Sequence, residues 1–418
     1  MGLGGPELWT YRILQEPGLS TELQRLANPL SLGGIDAVDF QPCQLHEFRT
    51  QDRKCIEHWQ MPSGGTWVFT AIFDGQYIWS ALGLNLEVYI GHAGHATVEH
   101  ASRTLPSMIK QALESLIRSF RGHGFSAAVS GILSDCITRF DHSITTDFTR
   151  MFPGGPAGLQ GMSSTQIRHL FQDRMSGPGP QNLTAVTRCL QGSTVIVTLT
   201  DPSKLNLWIA NLGDSQAVLG SRTLAGDWSA AFVSAPHDGN NPSEVLRIQN
   251  QHPGEPECME DNRVVGFLGP TRSLGDTWLK LSSIFSQRVL LNFRREWNVQ
   301  RPETYVARVK SPPYVSSVPD VHHIPLPRGF PGQQRDFFLL SCSDGLADLY
   351  GGLTRQDMIH RWVTVVGRTI ESRTRGNLAL SLLRNGLGGD DVCLVSQKLT
   401  VEMEEKWMDD VTIIVQRL

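Results

Sequence analysis

Paired cysteines, long apolar runs and an excess of positive charge are all missing from this sequence of 418 residues. Its seven cysteines (Cys43, Cys55, Cys136, Cys189, Cys258, Cys342 and Cys393) are odd in number, scattered, and nowhere spaced as C-x-x-C. That pattern argues against structural zinc and a disulfide framework and fits a reducing compartment. A formal net charge of −4, with no obviously basic face, argues against a nucleic-acid partner. No stretch approaches the roughly 20 apolar residues that a bilayer-spanning helix needs, so no membrane is expected as a partner either. The N-terminus has no apolar signal core. Its opening residues mix Glu7, Glu16 and Glu22 with Arg12 and Arg25, whereas a mitochondrial transit peptide is rich in Arg and poor in acids. Pro6 breaks the myristoylation pattern, which requires Ser or Thr there. A cytoplasmic or nuclear location is the expectation.

What is present reads as a globular chain. Apolar residues make up 40 %, enough for a substantial core at this length. Strand signals are strongest at Thr66–Phe73, Thr194–Leu199, Leu207–Ala210, Gln216–Leu219, Phe337–Leu340 and Val411–Val415, all short β-branched, aromatic or aliphatic runs bounded by Gly and Asp. Helical spacing of apolar residues appears over Val98–Phe120 and Ala127–Phe152, and Pro242–Gln251 reads as a short helix with Pro at its start. Strands and helices alternate without a repeating unit, so the pattern predicts an α+β sandwich in one catalytic domain. Residues 1–40 read as an N-terminal extension, 41–418 as the domain, and Ile284–Pro313, which carries Arg294, Arg295, Arg301 and Arg308, as an insertion.

The recurring feature is an aspartate at the end of an apolar run, usually beside glycine: Asp74-Gly75, Gly213-Asp214, Gly275-Asp276, Asp344-Gly345 and Asp409-Asp410. Any one of these could simply terminate a strand and shape a turn. Five together point to carboxylates held rigidly at strand ends and open to a cleft, with glycine allowing close approach. An oxygen-only set of this kind suits Mg²⁺ or Mn²⁺ rather than zinc.

With these residues in view, the sequence resembles the metal-dependent protein phosphatases of type 2C. Six motifs in the family's order carry the resemblance: Phe73-Asp74-Gly75; Gly192-Ser193-Thr194; Ala210-Asn211-Leu212-Gly213-Asp214-Ser215; Thr271-Arg272-Ser273-Leu274-Gly275-Asp276; Ser343-Asp344-Gly345-Leu346-Ala347-Asp348; and Asp409-Asp410-Val411-Thr412. Pro312-Pro313-Tyr314-Val315 and the Asp-Asp-Val-Thr ending are most similar to the pyruvate dehydrogenase phosphatase branch. The resemblance implies a four-layer α-β-β-α sandwich of two antiparallel sheets flanked by helices. It also implies hydrolysis of phosphoserine and phosphothreonine in a phosphoprotein substrate by a hydroxide bridging two metal ions. In this reading Asp74 bridges the ions, the Gly75 carbonyl binds one of them, and Asp344 and Asp409 hold the other. Asp214 and Asp348, with Asp344, match a weaker third-metal site, and Asp276 a further acidic position. Asp52 matches an acidic pair that reaches a metal-bound water, but Gln51 stands where the family has Glu and contributes no charge. Arg49 or Arg53 could pair with the substrate phosphate. Cys342 reads as a core thiol, since this chemistry needs no phosphoenzyme. A monomer is expected.

One departure bears on activity. Family members continue Phe-Asp-Gly with His-x-Gly, whereas here Gln76–Gly91 intervenes before His92-Ala93-Gly94. His92 would join the water network or protonate the leaving oxygen. The sixteen-residue segment is either a genuine loop or an in-frame retained intron. Ile78, Trp79, Leu82, Leu84, Leu86, Val88, Tyr89 and Ile90 beside the single charge of Glu87 make it an odd exposed loop. With Gln51, it raises the alternative of a catalytically impaired pseudophosphatase that binds phosphoproteins.

Overall fold

The computed structural model describes residues 9–43, 50–62, 64–75, 95–171, 179–223, 225–293, 301–327, 336–372, 376–403 and 406–418. In chain order the strands are β1 (Leu30–Leu32), β2 (Ile35–Phe40), β3 (Arg53–Gln60), β4 (Thr66–Gly75), β5 (Gly192–Thr200), β6 (Asn206–Leu212), β7 (Gln216–Arg222) and β8 (Trp228–Val233). There follow β9 (Met259–Glu260), β10 (Arg263–Val264), β11 (Leu274–Gly275), β12 (Asp320–Pro325), β13 (Phe337–Cys342) and β14 (Val411–Arg417). One sheet runs β1-β2-β14-β13-β7-β8, and the other β12-β6-β5-β4-β3 with β11 beside β5. Every pairing is antiparallel.

The two-residue period of the strands divides their side chains between two cores. On β4, Phe69, Ala71 and Phe73 face the helices His95–Ser119 and Phe125–Thr149, within one large cluster. Ile72 instead meets Ile196, Ile209, Leu219, Leu339 and Ile414 between the sheets. On β13, Phe338, Leu340 and Cys342 pack toward Trp362, Val363 and Leu382 of the helices Arg355–Glu371 and Leu378–Leu387. Each such fully buried side chain contributes about 1.5–3 kcal/mol. The layers are therefore helix, sheet, sheet, helix: the expected four-layer α-β-β-α sandwich.

The helices begin where their caps allow. Thr354 Oγ1 accepts from Asp357 N–H at 3.2 Å, Asn377 Oδ1 from Leu380 N–H at 2.9 Å, and Asp391 Oδ1 from Leu394 N–H at 3.0 Å. Asn241 caps the helix Pro242–Gln251, with Pro at its first turn.

The described part of residues 1–40 is built into the sandwich. β2 pairs along β14 from Ile35↔Gln416 to Phe40↔Val411, and Leu19 and Leu23 of the helix Gly18–Ala27 enter the core. The described part of 284–313 folds into short helices whose Phe285, Leu290 and Val306 are buried. Cys342 lies in the core, where burial pushes its thiol far above the ordinary range, as a packed thiol requires.

Candidate metal centre

Topology gathers the acidic strand ends at one edge of the sandwich. β4 ends at Gly75 opposite Ser193 at the start of β5, and Leu212 at the end of β6 pairs with Val195. The chain then crosses to the other sheet through Gly213-Asp214-Ser215 and enters β7, where Gln216 pairs with Cys342 at the end of β13. Cys342 in turn pairs with Ile413 near the start of β14. Asp74, Asp214, Asp344 and Asp409 therefore leave four strands from two sheets at the same edge.

Carboxylate oxygens of Asp74, Asp214 and Asp344 lie within 4.8 Å of one another. Like charges so close cannot all be borne without a cation. Burial, then Asp344, Asp52, Asp214 and Asp409, holds the Asp74 carboxyl well above its usual range. Burial, then Asp214, Asp409, Asp348 and Asp52, does the same to Asp344. Asp214 is pushed up to about 7 by burial and by Asp238, Asp409 and Asp348. Asp52, also raised to about 7, responds first to burial and then to Asp410. Asp348, on the helix Gly345–Asp348, is raised by burial and Asp409.

The residues present fit a divalent ion. The donor set is all oxygen, three ligand atoms converge, and Asp52 Oδ2 is buried beside them with no hydrogen-bond partner among the described residues. The loops around it leave no room for larger residues. A Cβ on Gly345 would lie 2.1 Å from the Asp410 carbonyl oxygen, and one on Gly75 would lie 2.8 Å from Gln51 Cβ. Glycine there lets the strand ends approach closely enough for their carboxylates to converge.

Several residues fix these loops. Ser343 N–H donates to Thr412 O at 3.1 Å, and Thr412 N–H returns to Ser343 Oγ at 2.9 Å, joining the Asp344 and Asp409 segments. Asp410 accepts from Gln51 N–H and from Gln41 Nε2, both at 2.7 Å. Asp409 Oδ1 accepts from Lys406 Nζ at 3.0 Å and from Asp410 N–H at 2.8 Å. The close trio thus contains Asp214 rather than Asp409, which is turned to Lys406. Asp276 lies apart from the trio: Ser273 Oγ donates to its Oδ2 at 2.6 Å. Arg53 is committed to the scaffold, donating to the carbonyls of Thr50 and Asp52 at 2.8 Å and pairing with Glu99 at 3.1 Å. His92, Arg49 and the interruption 76–91 lie outside the described residues.

The Asp214 turn is held by a buried network that no sequence signal singled out in full. Gly213 N–H donates to His237 Nδ1 at 3.1 Å, and His237 N–H donates to Gly213 O at 2.9 Å. His237 Nε2 then faces Asp320 Oδ2 at 3.0 Å. Arg272 bridges Asp320 Oδ1 at 2.7 Å and both oxygens of Glu244 at 2.7 and 3.0 Å. Hydrogen bonds from His237, then the Arg272 charge, pull Asp320 far below the carboxylate range. Burial opposes the same effect at Glu244, but Arg272, Arg247 and Thr271 outweigh it. Arg272→Met would leave the buried Glu244 with the Arg247 charge and the Thr271 hydroxyl. We expect a loss of roughly 3 kcal/mol in chemical denaturation, the lower end for a broken buried pair because Arg247 remains. A loss under about 1 kcal/mol would remove the network from the account of stability.

A helix-sheet-sheet-helix sandwich with converging carboxylates at one edge defines a metal-dependent phosphatase of the type 2C architecture. The protein phosphatase 2C family matches residues 97–375, well over half the chain, and the chain belongs to that family. A protein phosphatase 2C homolog of Schizosaccharomyces pombe is 27 % identical over 95 % of this chain and 84 % of its own length. Mitochondrial pyruvate dehydrogenase phosphatase 1 of Saccharomyces cerevisiae is 26 % identical over 66 % of this chain and 44 % of its own. The human protein of the same name is 27 % identical over 54 % and 47 %. The chain thus matches slightly under half the length of these two dehydrogenase phosphatases. In fold it is similar to the crystal structure of a serine-threonine phosphatase 2C from Toxoplasma gondii, with a TM-score of 0.50 at 15 % identity over 93 % of this chain and 96 % of that one. No helix among the described residues is long and apolar enough to cross a membrane.

Proposed function

We propose that this chain hydrolyses phosphoserine and phosphothreonine in protein substrates at a divalent-metal centre built on Asp74, Asp214 and Asp344. The convergence of their carboxylate oxygens within 4.8 Å carries the reading. When bound, Mg²⁺ or Mn²⁺ supplies an acidified water and neutralises phosphoryl charge for in-line displacement. The chain's own residues do the rest. Asp74 and Asp344 would be the central ligands, with the Gly75 carbonyl beside them. Asp409, Asp52 and Asp348 sit near enough to shift the neighbouring carboxyls and would extend the centre to a second or third ion. His92 would serve as the acid for the leaving oxygen and Arg49 as a phosphate contact. We read residues 41–418 as the catalytic domain, with 76–91 and 284–313 as insertions and β2 completing its sheet, acting as a monomer.

The names of the dehydrogenase phosphatases make phosphorylated pyruvate dehydrogenase the first substrate to assay, and a mitochondrial location the alternative to test against the cytoplasmic or nuclear one. Gln51, a neutral amide where the family has Glu, favours a second reading, an impaired phosphatase that binds phosphoproteins. Purified full-length chain should release phosphate from a phosphothreonine peptide with Mn²⁺ and stop when EDTA is added. No turnover at saturating Mn²⁺, together with retained phosphopeptide binding, would decide for the second reading. Recovery of turnover on deleting 76–91 would place the defect in that segment.

A further inference from the structure

Seven carboxyls crowd one edge of the sandwich: Asp52, Asp74, Asp214, Asp344, Asp348, Asp409 and Asp410. Among the described residues, one cation stands within ion-pair distance of any of them. It is Lys406, 3.0 Å from Asp409 Oδ1 and 3.2 Å from Asp410 Oδ2, with its side chain only 3 % exposed. An ammonium is taken out of water at such depth only where anions compensate it. Asp410 does not depend on it for orientation, since Gln41 and Gln51 already bind its two oxygens at 2.7 Å. Asp409 is different. Its Oδ1 is shared by Lys406 and the Asp410 N–H, while its Oδ2 has no hydrogen-bond partner among the described residues.

We propose that Lys406 is a resident counter-cation of the metal centre, which holds Asp409 when no metal is bound and competes with the incoming ion for that carboxylate. The proposal rests on reading Asp409 as part of the centre. A fixed positive charge on a shared carboxylate repels a dication nearby, most strongly where water is excluded. Lys406 therefore lowers the affinity for metal and raises the metal concentration at which the centre fills. It also compensates the acidic edge in the metal-free protein, so the fold does not depend on metal to survive.

The test is a Mn²⁺ titration of the full chain, followed by the electron paramagnetic resonance of the free ion, with melting in EDTA as a second readout. Lys406→Met keeps length and removes charge; Lys406→Arg keeps charge. The Met variant should bind Mn²⁺ about 10- to 100-fold more tightly than wild type and melt at a lower temperature in EDTA. The Arg variant should stay within about threefold of wild type. Equal or weaker Mn²⁺ binding by Lys406→Met would overturn the proposal. Should that variant not accumulate folded, Lys406→Met combined with Asp410→Asn, compared with Asp410→Asn alone, makes the same comparison with one carboxylate fewer to compensate. An unchanged affinity in that pair overturns the proposal equally. No Mn²⁺ binding by wild type or any variant would instead overturn the metal-centre reading itself.

Discussion

Asp344→Asn should lower Mn²⁺-dependent turnover by at least about 10³-fold, equivalent to about 4 kcal/mol of transition-state stabilisation. The same substitution should raise the melting temperature of the metal-free protein. Both effects have one cause. Asp344 lies at the centre of the cluster, where burial and the charges of Asp214, Asp409, Asp348 and Asp52 already resist its ionisation. An amide of the same shape removes the repulsion in the metal-free state, and with it the negative charge that a dication requires. Asn at this position also leaves the backbone of the adjoining turn intact, where Ala347 N–H donates to Asp344 O at 2.7 Å. Loss of activity should therefore come with a better-folded, metal-insensitive protein. Calorimetry with and without Mn²⁺, alongside phosphopeptide turnover, separates this from simple unfolding. A variant that kept turnover and metal affinity within threefold of wild type would remove Asp344 from the centre.

Metal-free protein should be less stable at pH 7.5 than at pH 5.5. Asp52 and Asp214 have folded-state values near 7, against about 4 in an unfolded chain. Between these values the folded chain keeps protons that the unfolded chain has released, so stability falls as pH rises through the interval and levels off above pH 7. The slope is about 1.4 kcal/mol per pH unit for each fully protonated group, which gives on the order of 2–4 kcal/mol over this range for the pair. Saturating Mn²⁺ binds the folded form and displaces those protons, adding about 2.7 kcal/mol at one hundred times its dissociation constant. That gain should be larger at pH 7.5 than at pH 5.5. Denaturant titrations at both pH values, in EDTA and in Mn²⁺, measure it directly. Greater metal-free stability at pH 7.5 would mean that the carboxylates are not crowded as described.

Much of the scaffold for this centre was legible locally. β4, β5, β13 and β14 are continuous β-branched, aromatic or aliphatic runs because both of their faces are buried, one against the helices and one against the other sheet. Their ends could be read from Asp-Gly and Asp-Asp. The outer strands were harder. β3 (RKCIEHWQ) and β12 (DVHHIP) are half-buried at sheet edges and carry charge and histidine, so neither shows a clean alternation. β2 (IDAVDF) does not alternate either, because Ile35 and Ala37 enter one core while Val38 and Phe40 enter the other, and nothing near it in sequence reveals that its partner is β14, more than 370 residues away.

The acidic centre divides along the same line. Aspartates at the ends of buried strands beside glycine could be read from the residues alone, because strand propensity, turn chemistry and the backbone freedom of glycine are local properties. That Asp74, Asp214 and Asp344 form the close trio while Asp409 turns to Lys406 is set by long-range packing. The separations among the trio depend on register within two sheets and on the Gly213–Ser215 crossover between them. Lys406 gives no local signal of burial, since a lysine near charged residues ordinarily reads as solvated surface. It is buried at the acidic edge that the fold assembles, where the carboxylates of Asp409 and Asp410 compensate its charge.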